Sequence, residues 1–369
     1  MIDLKAGAWR KAMGNAQLAS ANDLVAQTLA RHGLASPLPS GTAAPLSPRP
    51  LGEAGGGTIA SALAGLAGRM GRPAAAPDPL PDGASFAEDS FTCPAGTRRY
   101  RTYVPASAKD GVTGLVVMLH GCTQNPEDFA AGTGMNQLAE AHRFIVVYPA
   151  QSRGDNAQSC WNWFSRGDQR RDRGEPAIIA GITRSVMERH AVPPQQVFVA
   201  GLSAGAAMAV ILGAAYPELF HAVGAHSGLP LGAAKDVPSA FAAMAGQVTD
   251  AGSGGPAVRT IVFHGSADAT VHPQNGERIA RHAIDNGPRE SLQTKSSGSA
   301  GGRSYRRCVT HGEGTGGGDT GGAPSVEHWL IDGMGHAWSG GKPAGSYTDP
   351  KGPDASAEMV RFFFGEAPR

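Results

Sequence analysis

A serine lies at the centre of a glycine-flanked motif where its hydroxyl could act as a nucleophile. Residues 201–205 read Gly-Leu-Ser-Ala-Gly, with Ser203 in the middle. In a chain with 52 glycines the bare pattern means little, because chance matches are common. Its setting carries the weight, since an apolar segment precedes it directly and an Ala-rich helical segment follows. This strand–turn–helix arrangement is typical of a nucleophile elbow, and we favour it over a Gly-rich turn with an incidental serine.

A serine hydroxyl needs a general base, and His336 has the best position among 12 histidines. It lies in a glycine-rich loop that follows the predicted strand Val326–Ile331. Loops beyond the carboxyl ends of parallel strands carry catalytic groups in open α/β sheets. His272 is the strongest competitor, because it is in a loop at the same edge. His120 and His264 each end a strand before a glycine, so we expect them to be buried and hydrogen-bonded.

The third member of such a triad must orient the imidazole, and we predict that Asp268 does so. It follows the predicted strand Arg259–Phe263 and lies between the serine and the histidine in chain order, as in hydrolases with the order Ser, Asp, His. Considered alone, it could equally be an Asx-turn residue. Asp332 and Asp354 are the alternatives, and Asp332 is too close in the chain to reach around the ring.

Two backbone donors should stabilise the negative oxygen that forms when the serine attacks a carbonyl carbon. One is the N–H of Ala204, directly after the serine. The other should come from a loop after an early strand, which here is 120–124 (His-Gly-Cys-Thr-Gln). The N–H of Cys122 is therefore the second predicted donor. The alternative for this loop is an ordinary turn after a strand.

The elements that position these residues alternate along 85–369, which we predict to be one catalytic domain. Strands that alternate with helices imply a mostly parallel sheet with helices on both faces, so the predicted fold class is α/β. The Gly/Ser-rich segments 296–302 and 311–323 are predicted to be solvated loops. The predicted strands are 99–104, 114–119, 144–148, 196–200, 222–225, 259–263, 304–309 and 326–331, and the predicted helices are 127–142, 175–190, 204–215, 274–284 and 354–364.

The first part of the chain differs in composition from the rest. Residues 1–35 carry apolar residues at helical spacing, compatible with an amphipathic helical extension. Residues 36–84 are rich in Pro, Ala and Gly and are predicted to be a linker. The N-terminus has no apolar core and cleavage site of the kind that marks a signal peptide.

Composition excludes several classes of function. The net charge is +1, with 32 basic and 31 acidic residues, so no nucleic-acid partner is expected. No run of 18 apolar residues occurs, and no membrane span is expected. The four cysteines form no C-x-x-C pair, which argues against a zinc site, and we expect no metal.

Five segments occur in a characteristic order: LHGCTQN, CWNW, GLSAG, HGSAD and GMGHAW. Together they resemble the polyhydroxybutyrate depolymerase family of esterases with type 1 catalytic domains. These are relatives of feruloyl and acetylxylan esterases in the α/β-hydrolase superfamily. The resemblance implies an α/β-hydrolase fold and hydrolysis of carboxylic esters without a cofactor. It also implies the Ser203, Asp268 and His336 triad and the oxyanion role of Cys122.

The resemblance adds two further expectations. A disulfide between Cys122 and Cys160 would hold the segment around Trp161 beside the oxyanion loop, where it would line the substrate cleft. Trp163 and Trp338 also flank site segments, and aromatic walls suit an acyl or sugar group. For Trp163 core packing is an equal alternative.

The predicted function is therefore a serine esterase that forms an acyl-enzyme on polyhydroxybutyrate-type polyester or its hydroxyalkanoate oligomers. A feruloyl or acetylxylan esterase is the alternative with the same machinery, acting on an acylated sugar or a ferulate. A lower-ranked alternative is a protein that docks on a granule or a partner through residues 1–35. The absence of a signal peptide argues for the cytoplasm, whereas the resemblance and the expected disulfide argue for the extracellular region. The missing polymer-binding module and the N-terminal extension 1–84 argue against digestion of insoluble extracellular polyester. Oligomeric state is not predicted.

Overall fold

The computed structural model describes residues 79–156, 158–247, 258–287, 291–312 and 324–365. The predicted helical extension 1–35 and nearly all of the predicted linker 36–84 lie outside these ranges. Within them, no helix has the length and apolar character needed to cross a membrane.

Strands of the described ranges form one ten-stranded sheet and one small two-stranded sheet. The strands are β1 (Ser85–Cys93), β2 (Gly96–Val104), β3 (Gly114–Leu119), β4 (Phe144–Pro149), β5 (Val197–Leu202), β6 (Ala222–His226), β7 (Arg259–Gly265), β8 (Ser291–Ala300), β9 (Arg303–Gly312), β10 (Pro324–Ile331), β11 (Trp338–Ser339) and β12 (Thr348–Asp349). The helices are α1 (Pro126–Thr133), α2 (Met135–His142), α3 (Gly174–Arg189), α4 (Ala204–Ala215), α5 (Val237–Met244), α6 (Gln274–Asp285) and α7 (Ala355–Phe364).

The large sheet has the order β1-β2-β4-β3-β5-β6-β7-β10-β9-β8. All pairings from β4 to β10 are parallel, and an antiparallel hairpin extends the sheet at each edge. Helices α3 and α4 pack on one face of the sheet, and α1, α2 and α7 pack on the other. This confirms the predicted mostly parallel α/β sheet. Strands β3 and β5 are apolar along their length because both of their faces are covered.

Three sequence predictions differ from the structure. The helix predicted over 127–142 is two helices, because Gly134 between them has a left-handed φ of 67°. The segment 296–302, predicted to be a solvated loop, instead completes β8 and the turn to β9. Its Ser and Gly residues have low strand propensity, and pairing with β9 overrides that preference. The predicted loop 311–323 begins inside a strand, because β9 extends to Gly312, and residues 313–323 lie outside the described residues. Strand β1 and helix α5 were not predicted.

The register of the central strands brings distant segments to one edge. Leu202 at the end of β5 pairs with His226 of β6, which pairs with Phe263 of β7. The chain segments that follow these three strands therefore leave the sheet side by side. This edge is where ligands bind in open α/β sheets.

Candidate active site

Ser203 occupies the sharp turn between β5 and α4. Its backbone has φ 58° and ψ −119°, a conformation that non-glycine residues adopt only at a cost of about 1–3 kcal/mol. The Ser203 N–H donates to the carbonyl of His226 at 2.9 Å, which ties the turn to the neighbouring strand. The side chain is half-buried. A strained, partly exposed serine at the start of a helix has the geometry of a nucleophile elbow.

The two glycines of the motif are required by close packing. A Cβ on Gly201 would lie 2.4 Å from the carbonyl carbon of Gly205. A Cβ on Gly205 would lie 2.0 Å from the carbonyl oxygen of Leu119 and 2.6 Å from that of His120. No side chain fits at either position, so the start of α4 can lie directly against the end of β3. An incidental Gly-rich turn would not need this fit.

His336 and Asp268 are hydrogen-bonded to each other. The Nδ1 of His336 donates to Oδ2 of Asp268 at 2.8 Å. The other carboxylate oxygen, Oδ1, accepts from the backbone N–H groups of Thr270 and Val271, both at 2.9 Å. With Nδ1 carrying the proton, Nε2 of His336 is left as the basic nitrogen.

A second histidine contacts the same carboxylate. His264 is fully buried, and its Nε2 donates to the carbonyl of Val271 at 2.8 Å and lies 3.4 Å from Oδ2 of Asp268. Burial by itself raises the pKa of Asp268, but the hydrogen bonds with His264 and His336 outweigh it, so the pKa stays well below its usual range. Asp268 is therefore ionised and can orient and stabilise a protonated His336.

The structure does not join Ser203 to His336 by a hydrogen bond. Among the described residues the Ser203 hydroxyl has no hydrogen-bond partner. His226 ties the elbow to the segment that follows the His336 loop: its carbonyl accepts from the Ser203 N–H, and its Nε2 accepts from the N–H of Ser339 at 3.0 Å. Contacts between base and nucleophile are often long without substrate and tighten in the reacting complex.

The two predicted oxyanion donors lie on adjoining segments. Nothing in the described parts of the chain accepts a hydrogen bond from the N–H of Cys122 or of Ala204. The N–H of Gly121, which precedes Cys122, donates to Oε1 of Gln124 at 2.9 Å and so helps to fix the loop. The start of α4 adds the positive end of a helix dipole. Both N–H groups are free to bind an anionic oxygen.

The disulfide between Cys122 and Cys160 is present, as predicted, with a Cα–Cα distance of 4.3 Å. It joins the oxyanion loop to the segment that carries Trp161. Cys93 and Cys308 are free and half-buried.

The three tryptophans predicted to contact substrate are buried. Exposure is 0% for Trp161, 6% for Trp163 and 1% for Trp338. The indole N–H of Trp161 donates to the carbonyl of His120, and that of Trp338 donates to Oγ of Ser356, each at 3.0 Å. This burial gives all three rings a core-packing role and leaves Trp161 and Trp338 almost no surface for a substrate.

The residues that the sequence offered as alternatives to His336 and Asp268 do not belong to this hydrogen-bonded pair. His272 is exposed, and its Nδ1 accepts from the N–H of Gln274. Asp354 caps α7 by accepting from the N–H of Ala357. Asp332 is exposed and lies 3.8 Å from Arg306.

Sequence reasoning missed His226. It is fully buried and stacks on Trp338 with ring centroids 5.0 Å apart. Burial, together with His264 and His336, lowers the pKa of His226 well below its ordinary value, so it is neutral. Its place at the end of β6, beside the elbow, was the signal that could have identified it. His120 and His264 are buried and hydrogen-bonded, as predicted.

Comparison with known proteins identifies the family of this chain. Residues 98–289, a little over half of the chain, match the family described as Esterase PHB depolymerase. Poly(3-hydroxyalkanoate) depolymerase C of Paucimonas lemoignei is 34% identical over 240 residues, which cover 60% of this chain and 54% of that protein. The probable acetylxylan esterase A of Aspergillus fumigatus is 31% identical over 202 residues, covering 49% of this chain and 53% of that protein. The chain thus spans about half the length of these curated relatives.

Among solved structures, an acetyl xylan esterase from Aspergillus awamori superposes with a TM-score of 0.55 at 21% identity. The match covers 76% of this chain and 100% of that one. At this identity the likeness shows the fold, which is that of the α/β-hydrolases.

Proposed function

We propose that this chain, which belongs to the Esterase PHB depolymerase family, hydrolyses carboxylic esters. In this proposal Ser203 is the nucleophile, His336 is the general base, and the Asp268 carboxylate orients the imidazole. The observation that carries the proposal is the hydrogen bond between Nδ1 of His336 and Oδ2 of Asp268. This pair lies at the sheet edge that also holds the strained Ser203.

The first half of the reaction forms an acyl-enzyme. The Oγ of Ser203 attacks the ester carbonyl carbon while Nε2 of His336 takes the hydroxyl proton. The carbonyl oxygen becomes an anion that accepts hydrogen bonds from the N–H groups of Cys122 and Ala204. As the C–O bond to the alcohol breaks, the imidazolium returns its proton to the leaving oxygen.

The second half releases the acid. Nε2 of His336 takes a proton from water, and the hydroxide attacks the acyl carbon. The same two donors hold the second anionic intermediate. Its collapse breaks the bond to Oγ of Ser203, which recovers the proton from His336. The ionised Asp268 stabilises the imidazolium in both halves, because its carboxylate stays beside Nδ1.

Ser203→Ala tests this assignment directly. The variant should lose hydrolysis of a short-chain p-nitrophenyl ester while keeping its circular dichroism spectrum. Ser297→Ala is the matched control, because Ser297 is an exposed serine on β8 and should leave turnover unchanged. Full activity in the Ser203 variant would end the proposal.

The proposed substrates are hydroxyalkanoate polyester and its oligomers, as the name of the Paucimonas lemoignei relative suggests. Acetylated xylan is the second candidate, favoured by the acetylxylan esterases among the relatives and by the superposed structure. Rates on 3-hydroxybutyrate oligomers, acetylated xylan and methyl ferulate would separate these and the feruloyl alternative. A higher kcat/KM on acetylated xylan than on the oligomers would exclude the polyester assignment.

The disulfide supports the proposal that the protein works in an oxidising, extracellular setting, because such bonds are rare where thiols are kept reduced. Titration of thiols in the unfolded protein should count Cys93 and Cys308 without reductant and all four cysteines with it. Four reactive thiols in protein isolated without reductant would argue against that setting.

A further inference from the structure

A carboxylate lies buried away from the proposed triad, in the first turn of α3. Glu175 is 3% exposed. Its Oε2 accepts from the backbone N–H of Asn162 at 2.7 Å, and its Oε1 accepts from Nδ2 of Asn162 at 3.0 Å. Nε2 of Gln151 also donates to Oε1, and Nη2 of Arg98 lies 3.5 Å from it. The groups that contact the two carboxylate oxygens are donors, which favours the ionised form, whereas the Asp168 carboxylate, which accepts from the Glu175 N–H at 2.8 Å, opposes it.

The donors belong to a network that fixes the main chain on both sides of Cys160. Nε2 of Gln151 also donates to the carbonyl of Cys160 at 2.9 Å. Oδ1 of Asn156 accepts from the N–H of Cys160 at 3.3 Å, and Nδ2 of Asn156 donates to Oδ1 of Asn162 at 3.0 Å. Segment 158–162 is therefore held to α3 through Glu175.

The same segment is tied to the oxyanion loop at three points. The disulfide joins Cys160 to Cys122. The N–H of Thr123 donates to the carbonyl of Gln158 at 2.7 Å. The indole N–H of Trp161 donates to the carbonyl of His120 at 3.0 Å. The N–H of Cys122 lies between these tie points, so its direction depends on where the segment lies.

We propose that Glu175 is a positioning residue for the oxyanion loop. It fixes segment 158–162, and the disulfide and two hydrogen bonds pass that constraint to the N–H of Cys122. The inference rests on the proposed function, because it concerns the donor that holds the anionic oxygen. A buried charge is costly, and an apolar residue would leave the N–H of Asn162 unpaired in the interior.

Protonation of Glu175 should loosen the anchor. Burial and, to a smaller extent, the Asp168 carboxylate raise the pKa of this carboxyl to about 7, against the opposing effect of the N–H of Asn162 and the guanidinium of Arg98. Arg98 is in turn paired with Asp155. A protonated carboxyl accepts more weakly from its donors, so the loop is held firmly at higher pH and less firmly as the pH falls through this value.

The kinetic test compares Glu175→Gln with Glu188→Gln, an exposed glutamate on the same helix. At about pH 8.5, Glu175→Gln should lower kcat on a p-nitrophenyl ester by about 10- to 100-fold and leave KM within about twofold, since complete loss of one donor costs about 10²–10³. The control should keep the wild-type rate. A higher KM with an unchanged kcat in Glu175→Gln would overturn the proposal.

The pH profile separates positioning from a general structural role. The ratio of wild-type to Glu175→Gln activity cancels any pH dependence that the two proteins share. This ratio should shrink toward about pH 5.5, because the wild-type carboxyl is then protonated as well. A ratio that stays constant across this range contradicts the proposal.

Hydrogen exchange gives a measurement that does not require activity. Glu175→Gln should exchange faster than wild type at the amides of 120–124 and 158–162, and unchanged exchange at 120–124 overturns the proposal. If wild-type hydrolysis does not depend on Ser203, the proposed function fails. The exchange measurement still tests whether Glu175 fixes the oxyanion loop. If Glu175→Gln does not fold, Glu175→Asp replaces it, since it keeps the charge and withdraws it from Asn162.

Discussion

Replacing Asp268 by Asn tests the proposed mechanism most sharply, because the structure dictates how the amide must lie. Oδ1 of Asp268 accepts from the N–H groups of Thr270 and Val271, both at 2.9 Å. Only the amide oxygen can take that place, so the NH₂ group must replace Oδ2 and face Nδ1 of His336. It would donate to Nδ1, which moves the ring proton to Nε2. A protonated Nε2 cannot take the proton of Ser203.

The expected loss follows from this wrong tautomer. In serine hydrolase triads the same change lowers kcat by about 10⁴ while the geometry stays intact. At about 1.4 kcal/mol for each tenfold change, this corresponds to about 5.5 kcal/mol of transition-state stabilisation. The NH₂ group would also face Nε2–H of His264, 3.4 Å from the present Oδ2, so both neighbours oppose the amide.

The assay is kcat on a p-nitrophenyl ester at neutral pH, with thermal unfolding to show that the variant is folded. Asp332→Asn is the matched control, since this exposed aspartate lies close to His336 in the chain. Its ion pair with Arg306 is long, at 3.8 Å, and exposed to solvent. The control should keep wild-type turnover. An Asp268→Asn enzyme within about tenfold of wild type, or a comparable loss in the control, would refute the assigned roles.

Three further outcomes are expected. Gly205→Ala should lower the unfolding free energy by about 1–3 kcal/mol or more, because a main-chain oxygen lies 2.0 Å from the new Cβ. Gly154→Ala is the control, because its new Cβ would meet only an ordinary van der Waals contact. Equal unfolding midpoints for the two variants would contradict the packing argument. Removing the disulfide by replacing Cys122 and Cys160 with Ser should cost about 4 kcal/mol for a 38-residue separation, measured by denaturant titration, and an unchanged midpoint would contradict it. Because folding lowers the pKa of Asp268, the ionised carboxylate stabilises the fold above the ordinary pKa of 3.8, and this stabilisation is lost as the pH falls below that value. The melting temperature of wild type should therefore exceed that of Asp268→Asn by less at acidic pH. A difference that grows on acidification would contradict this argument.

Local patterns were enough to predict much of the frame. Apolar runs bounded by turn residues predicted the central strands, and the Ala-rich segment after Ser203 predicted α4 with the bounds it has in the structure. Patterns failed where tertiary pairing overrides local preference. The Ser/Gly-rich β8 is a strand because β9 supplies its hydrogen-bond partners.

The site divides in the same way. The residue types of the glycine-flanked turn and the chain order of serine, acid and base are properties of the sequence, and both pointed to Ser203, Asp268 and His336. The hydrogen bond between His336 and Asp268 joins residues 68 positions apart, and it depends on the crossovers that bring the ends of β7 and β10 to one edge. The burial of Trp161 and the donors around Glu175 likewise depend on the packing of distant segments, because a side chain's exposure and partners are set by neighbours that its local sequence does not specify.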